Sequence, residues 1–274
     1  SDAANNSMYT HDVSGTDDTA QNNTAYGFTA LDAITTGDDN TTIGYAAGSA
    51  LNTGIRNTFI GSLAGDATEA GQYNVAIGYA ALSSDQAGAF NVAVGSGALN
   101  AQDGGTNGVD FYNVAVGYNA GLSVTTGIKN TIVGGLAGDA LTIGNNNTAL
   151  GYAALSTSVD GDYNTAIGFA ALLVYEDGDG NGHNTAVGAN SQAAATTGEF
   201  NTSLGSLSMG VGVTTGDYNT ALGYQSGQDL TSGSRNVGLG AFALGEVTTG
   251  ANNVALGYGA MSSANSGESK NVAV

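Results

Sequence analysis

The sequence predicts an all-β protein, a parallel β-solenoid (β-roll) of about 14 coils with a 17-residue period, and three observations carry that prediction. The pattern Asn-(Thr/Val)-x-(aliphatic)-Gly occurs fourteen times, from NTAYG at Asn23 to NVALG at Asn253, and a truncated NVAV ends at Val274. Ten of the fourteen intervals between successive anchor asparagines are 17 residues, and the others are 22, 20, 18 and 18. Proline is absent, and the 45 glycines follow no three-residue period. That excludes collagen and suits a backbone whose donors are committed to ladders.

Two segments follow. Residues 1–22 read as an N-terminal degenerate coil or cap, because Asn6 lies 17 residues before Asn23 with Met8 and Tyr9 in place of the usual residues. Residues 23–274 form the β-solenoid repeat domain.

Within one coil, with the asparagine as position 0, position +1 is Thr in nine copies and Val in five. Position +3 is Ile, Val or Leu in thirteen copies and Tyr26 in the other. β-Branched residues two apart predict a strand whose +1 and +3 side chains share the buried face. Position +4 is Gly in all fourteen, where the chain bends or meets another backbone, so a side chain there has no room. Positions +5 to +8, as in Tyr152-Ala-Ala-Leu155, predict a second short strand. The remainder is Thr, Asp, Asn and Gly, a loop that returns the chain to the next asparagine, with a Gly near +14.

Coils stacked about 4.8 Å apart place equal positions above one another. The asparagines Asn40, Asn57, Asn74, Asn91, Asn113, Asn130, Asn147 and Asn164 are thus expected to form a structural ladder of side-chain amides. The position before each asparagine (−1) gathers Arg56, Tyr73, Phe90, Tyr112, Lys129, Tyr163, His183, Phe200, Tyr218, Arg235 and Lys270, including all four basic residues. That column predicts a stripe of aromatics and cations, explained either by stacking between coils or subunits or by contact with a glycan or a surface. Position +5 holds a second aromatic column, among them Tyr45, Tyr79, Tyr118, Tyr224 and Tyr258.

The composition narrows function. A net charge of −19 opposes nucleic-acid binding. No apolar run is long enough to span a membrane, so membrane insertion is not expected. Two histidines and no cysteine offer no nucleophile–base arrangement, so no catalytic residue is assigned and no enzyme is expected. The 20-residue coil carries Asp177-x-Asp179-x-Asn181-Gly182, half of a calcium loop with Gly188 where the closing Glu would stand. Calcium at Asp177, Asp179 and Asn181 is one reading and a solvated acidic loop the other; no other cofactor is expected.

The repeats, as in NVAIGYAAL and NTAIGFAAL, resemble the head repeats of trimeric autotransporter adhesins and similar tracts in phage tail fibres and surface proteins. The resemblance implies a left-handed β-roll that forms side-by-side homotrimers, stands outside the cell or on a cell or virion surface, and adheres to host or matrix. The 17-residue coil departs from the commonly shorter adhesin repeat, and no stalk heptads or anchor strands are present. Physics also favours self-association, because a thin coil lined with alanine encloses little core. The strand Val272-Ala273-Val274 reads as an unpaired edge suited to head-to-tail stacking into a filament. The expected role is therefore an extracellular structural or adhesive β-solenoid, with a phage tail-fibre segment as the alternative. Ice binding ranks behind both, because the +1 threonines alternate with valine and are expected to face inward.

Overall fold

A computed structural model describes residues 8–9, 19–106, 108–175, 181–263 and 267–274. The chain is all β, without a helix among the described residues: sixteen short parallel strands lie in chain order in one sheet, wound as a β-solenoid of about fifteen turns. Two compact units divide it, Ser1–Gly135 and Leu136–Val274. The first holds β1 (Met8–Tyr9), β2 (Thr24–Tyr26), β3 (Thr41–Ile43), β4 (Thr58–Ile60), β5 (Val75–Ile77), β6 (Val92–Val94), β7 (Val114–Val116) and β8 (Thr131–Val133). The second holds β9 (Thr148–Leu150), β10 (Thr165–Ile167), β11 (Thr185–Val187), β12 (Thr202–Leu204), β13 (Thr220–Leu222), β14 (Val237–Leu239), β15 (Val254–Leu256) and β16 (Val272–Ala273).

Register is strict. Thr24 pairs with Thr41, and Thr165 with Thr185 although that coil is 20 residues long, so extra residues leave the ladder untouched. The degenerate first coil is one residue out of the expected alignment: Met8 pairs with Thr24 and Tyr9 with Ala25, so Met8 occupies +1.

The strand face is the reverse of the sequence expectation. Position +2 points inward, and Ala25, Ala76, Ala93, Ala149 and Ala166 are fully buried, while +1 and +3 flank it on the outside. The reason is volume. The interior takes a methyl group at +2 in most coils and a larger side chain, as at Phe59 and Ile132, where +8 is glycine, so the aliphatics at +3 stand outside.

Among the described residues the expected second strand is also absent. Residues +5 to +8 form turns, with the left-handed backbone at +6 (Ala46, Ala153) and +8 (Leu82, Leu155). Those turns still bond between coils, as Ala46 N–H donates to Phe28 C=O at 2.9 Å and Leu82 N–H to Ala98 C=O at 3.0 Å.

The core is built from columns +2, +7, +8 and +11, and their volumes compensate. In five coils +2 is Ala and +8 a buried leucine, as at Ala76 with Leu82 and Ala93 with Leu99, whereas Ala115 and Ala221 face Gly121 and Gly227. Where +2 is Phe59, +8 is Gly65, and a Cβ on that glycine would lie 2.6 Å from the Phe59 ring. The coil before it supplies Gly48, whose Cβ would lie 3.0 Å from the same ring. In the second unit the core becomes polar for a few coils, where the Gln192 Nε2 donates to Ser203 Oγ at 2.9 Å and to the Thr185 carbonyl at 3.1 Å.

The asparagine ladder stands as expected, and its bonds are specific. Asn40 N–H and Nδ2 donate to Asn23 Oδ1 at 2.9 and 3.1 Å, and Nδ2 also donates to the Gly54 carbonyl, position +14, at 2.9 Å. Asn236 repeats this toward Asn219 and Gly250 at 3.0, 3.1 and 2.8 Å. Where both bonds are made, as at Asn40, Asn219 and Asn236, the buried amide closes its own coil and ties it to the one before, whereas the Asn164 Nδ2 is buried without a partner. Glycine at +4 is fixed by the same stacking: in Gly151 the backbone has φ +139°, and a Cβ would sit 2.3 Å from the Gly168 oxygen.

Candidate functional site

Three surfaces of the solenoid present organised side chains. The first is the outer strand face. At +3, Leu150 and Leu204 are 45% and 53% exposed, and Ile43, Ile77 and Leu256 are also open to solvent. Beside them runs the +1 column, in which β9 to β13 carry Thr148, Thr165, Thr185, Thr202 and Thr220 in succession. Rows of aliphatics on an outward sheet face are unusual in an isolated soluble protein and mark contact surfaces.

The second surface is the −1 stripe. Its backbone is left-handed at every one of these positions, with φ between 54° at Tyr112 and 63° at Lys270. Asn22, Asp39, Asn146 and Asn252 suit that conformation, whereas aromatic and basic residues there are uncommon. It directs the side chains outward along the stack. Tyr73, Phe90 and Tyr112 lie face to face with centroids 5.1 and 5.0 Å apart. Tyr163, His183, Phe200 and Tyr218 do the same at 4.7, 4.8 and 5.0 Å.

Arginines finish both runs: Arg56 lies 5.4 Å from the Tyr73 ring centre and Arg235 lies 5.7 Å from that of Tyr218. Arg56 also donates to the Tyr73 hydroxyl and pairs with Asp39 at 3.3 Å. Lys129 shares the column, and its backbone N–H donates to Phe111 C=O at 2.7 Å. The stripe is thus an intramolecular ladder. Within each run the ring faces are occupied by neighbouring rings or a guanidinium group, while Tyr112 and Tyr163, at the ends opposite the arginines, are each stacked on one side.

His183 is held between Tyr163 and Phe200 as a stacking partner, and His11 lies outside the described residues. Asp177 and Asp179 also lie outside them. Of that trio Asn181 is described, and its carbonyl accepts from the Tyr175 hydroxyl at 3.0 Å. Among the described residues no group of three or more acidic, histidine or cysteine side chains is placed to hold a metal. No helix among them is long and apolar enough to cross a membrane.

One buried polar group escaped the sequence reading. Asp85 stands in core column +11, where Ile34, Leu51 and Leu141 stand in other coils, and it is fully buried. Its Oδ1 accepts from the N–H groups of Gly88 and Gly104 at 2.8 and 3.0 Å, and its Oδ2 accepts from Gln102 Nε2 at 3.0 Å. Gln102 in turn accepts from Asn113 Nδ2 at 2.9 Å. Burial pushes the Asp85 carboxyl above the ordinary range against the pull of these donors. The network anchors the oversized 22-residue coil to the ladder.

The comparisons with family models, curated proteins and solved structures found no match to this chain. Its function is therefore read from its own geometry.

The third surface is a cleft of about 500 Å³ in the second unit, lined by Gln225, Gln228, Asp229, Phe242, Glu246 and Tyr258 among others. Its rings are not stacked. Phe242 meets Tyr224 at 88° and Tyr258 at 74°, with centroids 5.4 and 5.6 Å apart. The cause is a shift of one residue. Ala241 leaves the +5 column without a ring in that coil, and Phe242 at +6 lies near-perpendicular to both tyrosines.

Proposed function

We propose that this chain is a structural, self-associating β-solenoid of an extracellular or virion surface, built like an adhesin head or fibre segment, and that copies pack through the outward +1/+3 strand face. The observation that carries this is the reversal of that face: the aliphatic column lies outside the coil, where only another apolar surface can cover it. Seven strands about 4.8 Å apart, each offering a strip of about 10 Å, give roughly 350 Å² per unit. Strand faces of identical register also suit identical partners related by rotation. The resemblance of the repeats to trimeric adhesin heads supports three copies, and it alone supports the surface location and adhesion.

Light scattering on the purified chain tests the assembly. The expected mass is three chains, falling to one chain in the Leu150→Lys/Leu204→Lys variant with an unchanged circular-dichroism spectrum, since both side chains are exposed. A parent that stays monomeric up to about 100 μM, well above the weak end of specific association, sinks the proposal.

A second reading gains from the same reversal. The five successive outward threonines of β9 to β13 are evenly spaced hydroxyl and methyl groups, and ice binding no longer suffers from an inward Thr column. Under that reading the monomer inhibits ice recrystallisation and Thr185→Lys abolishes the effect; under assembly neither holds.

A further inference from the structure

We propose that the cleft around Phe242 binds a neutral pyranose unit of a polysaccharide. The site shares no residue with the +1/+3 face, so it stands or falls independently of the assembly proposed above.

The argument begins with ring geometry. A pyranose presents a face of C–H groups to an aromatic ring and a rim of hydroxyls to hydrogen-bonding groups. It therefore needs an uncovered ring face with polar side chains at the edge. Within the −1 stripe the rings cover one another at interplanar angles of 4° to 9°, which leaves faces only at the run ends. The cleft meets the first requirement through Tyr258, which lines it with Phe242, is 81% exposed and meets Phe242 at 74° instead of stacking on it.

The rest of the lining supplies the second requirement. Gln225 and Gln228 bring amide donors and acceptors, Asp229 and Glu246 bring carboxylate acceptors, and Ser262 brings a hydroxyl. Gly245 and Gly259 carry no side chain and leave the space between the polar and aromatic columns clear. A volume of about 500 Å³ falls in the range of small-molecule sites. Charge selects within the sugars: two carboxylates and no lysine or arginine in the lining turn away uronic, sialic and sulfated units.

The test is saturation-transfer NMR on the full chain with four neutral tetrasaccharides, of glucose, galactose, mannose and xylose, and with tetramethylammonium as a cation probe. At least one tetrasaccharide is expected to receive saturation at its ring C–H protons, with a dissociation constant of about 1 mM. Tyr258→Ala and Phe242→Ala should each weaken it about tenfold. Tyr112→Ala, in the stacked ladder, should leave it unchanged. Circular dichroism and melting temperature confirm that each variant is folded, and Tyr258→Phe, which keeps the ring, should retain binding. The proposal is overturned if no tetrasaccharide binds, if binding survives both alanine variants, or if only tetramethylammonium binds, which would make the cleft a cation cage.

Discussion

At the scale of the residue, the fold depends on positions where one atom too many meets backbone. Gly151 is such a position, with its φ of +139° and a virtual Cβ 2.3 Å from the Gly168 oxygen. Gly151→Val is expected to cost more than about 3 kcal/mol, since both the strain and the collision oppose it. A thermal melt with an unchanged midpoint would refute this account of +4. Asp85 gives a prediction of the opposite kind. Its folded-state affinity for a proton is raised by burial, and Asp66 is raised for the same reason. The folded chain thus binds protons more tightly than the unfolded chain, so stability rises as pH falls from about 7 toward the ordinary carboxylate range near 4. The melting temperature should follow that slope, and Asp85→Asn should flatten it. Identical slopes in parent and variant would remove Asp85 from the explanation.

At the scale of the coil, pairing of large with small side chains decides what each interior holds. Phe59 over Gly65 and Ala76 beside Leu82 are two solutions to one volume. Gly65→Leu should therefore unfold or strongly destabilise the parent, yet be far milder beside Phe59→Ala. Left-handed leucine at +8 is native elsewhere, as at Leu82 with φ 52°. A double-mutant cycle by urea denaturation should return a coupling of roughly 2 kcal/mol, and additive effects would contradict the compensation. Much of the coil was legible beforehand: the period, a strand at +1 to +3, the glycine at +4 and the asparagine ladder all followed from repetition. The strand face was not. Alternation fixes which residues share a side but not which side is inner, and hydrophobicity favoured +3. Interior volume decided instead. The turns at +5 to +8 were hidden because alanine and leucine give no sign of a left-handed backbone.

At the scale of the whole molecule, the charge of −19 sets the conditions for assembly. Copies that meet through an apolar face must bring like charges together, so association should tighten from low salt to about 0.5 M as screening grows. Sedimentation at both salts checks this, and weaker association at high salt would point to an ionic interface. The candidate surfaces were unequally visible in the sequence. The −1 column was evident as a stripe, and its stacking was one of two readings. The Phe242 cleft was hidden, because it arises from a one-residue offset against a regular background. Asp85 looked like a loop aspartate until column +11 placed it among Ile34 and Leu51.

The asparagine ladder has a consequence for how the chain finds its own thread. The bond from an anchor N–H to the Oδ1 of the preceding asparagine recurs from coil to coil, so a coil that wound on one turn too early would satisfy it almost as well. Uniformity at the seam has to be offset by landmarks elsewhere. Phe59 is one: its ring fits only where glycine stands at +8 both in its own coil and in the coil before, at Gly65 and Gly48. Such a residue works as an address label, and erasing it would leave a chain that can still wind but can lose count of its turns.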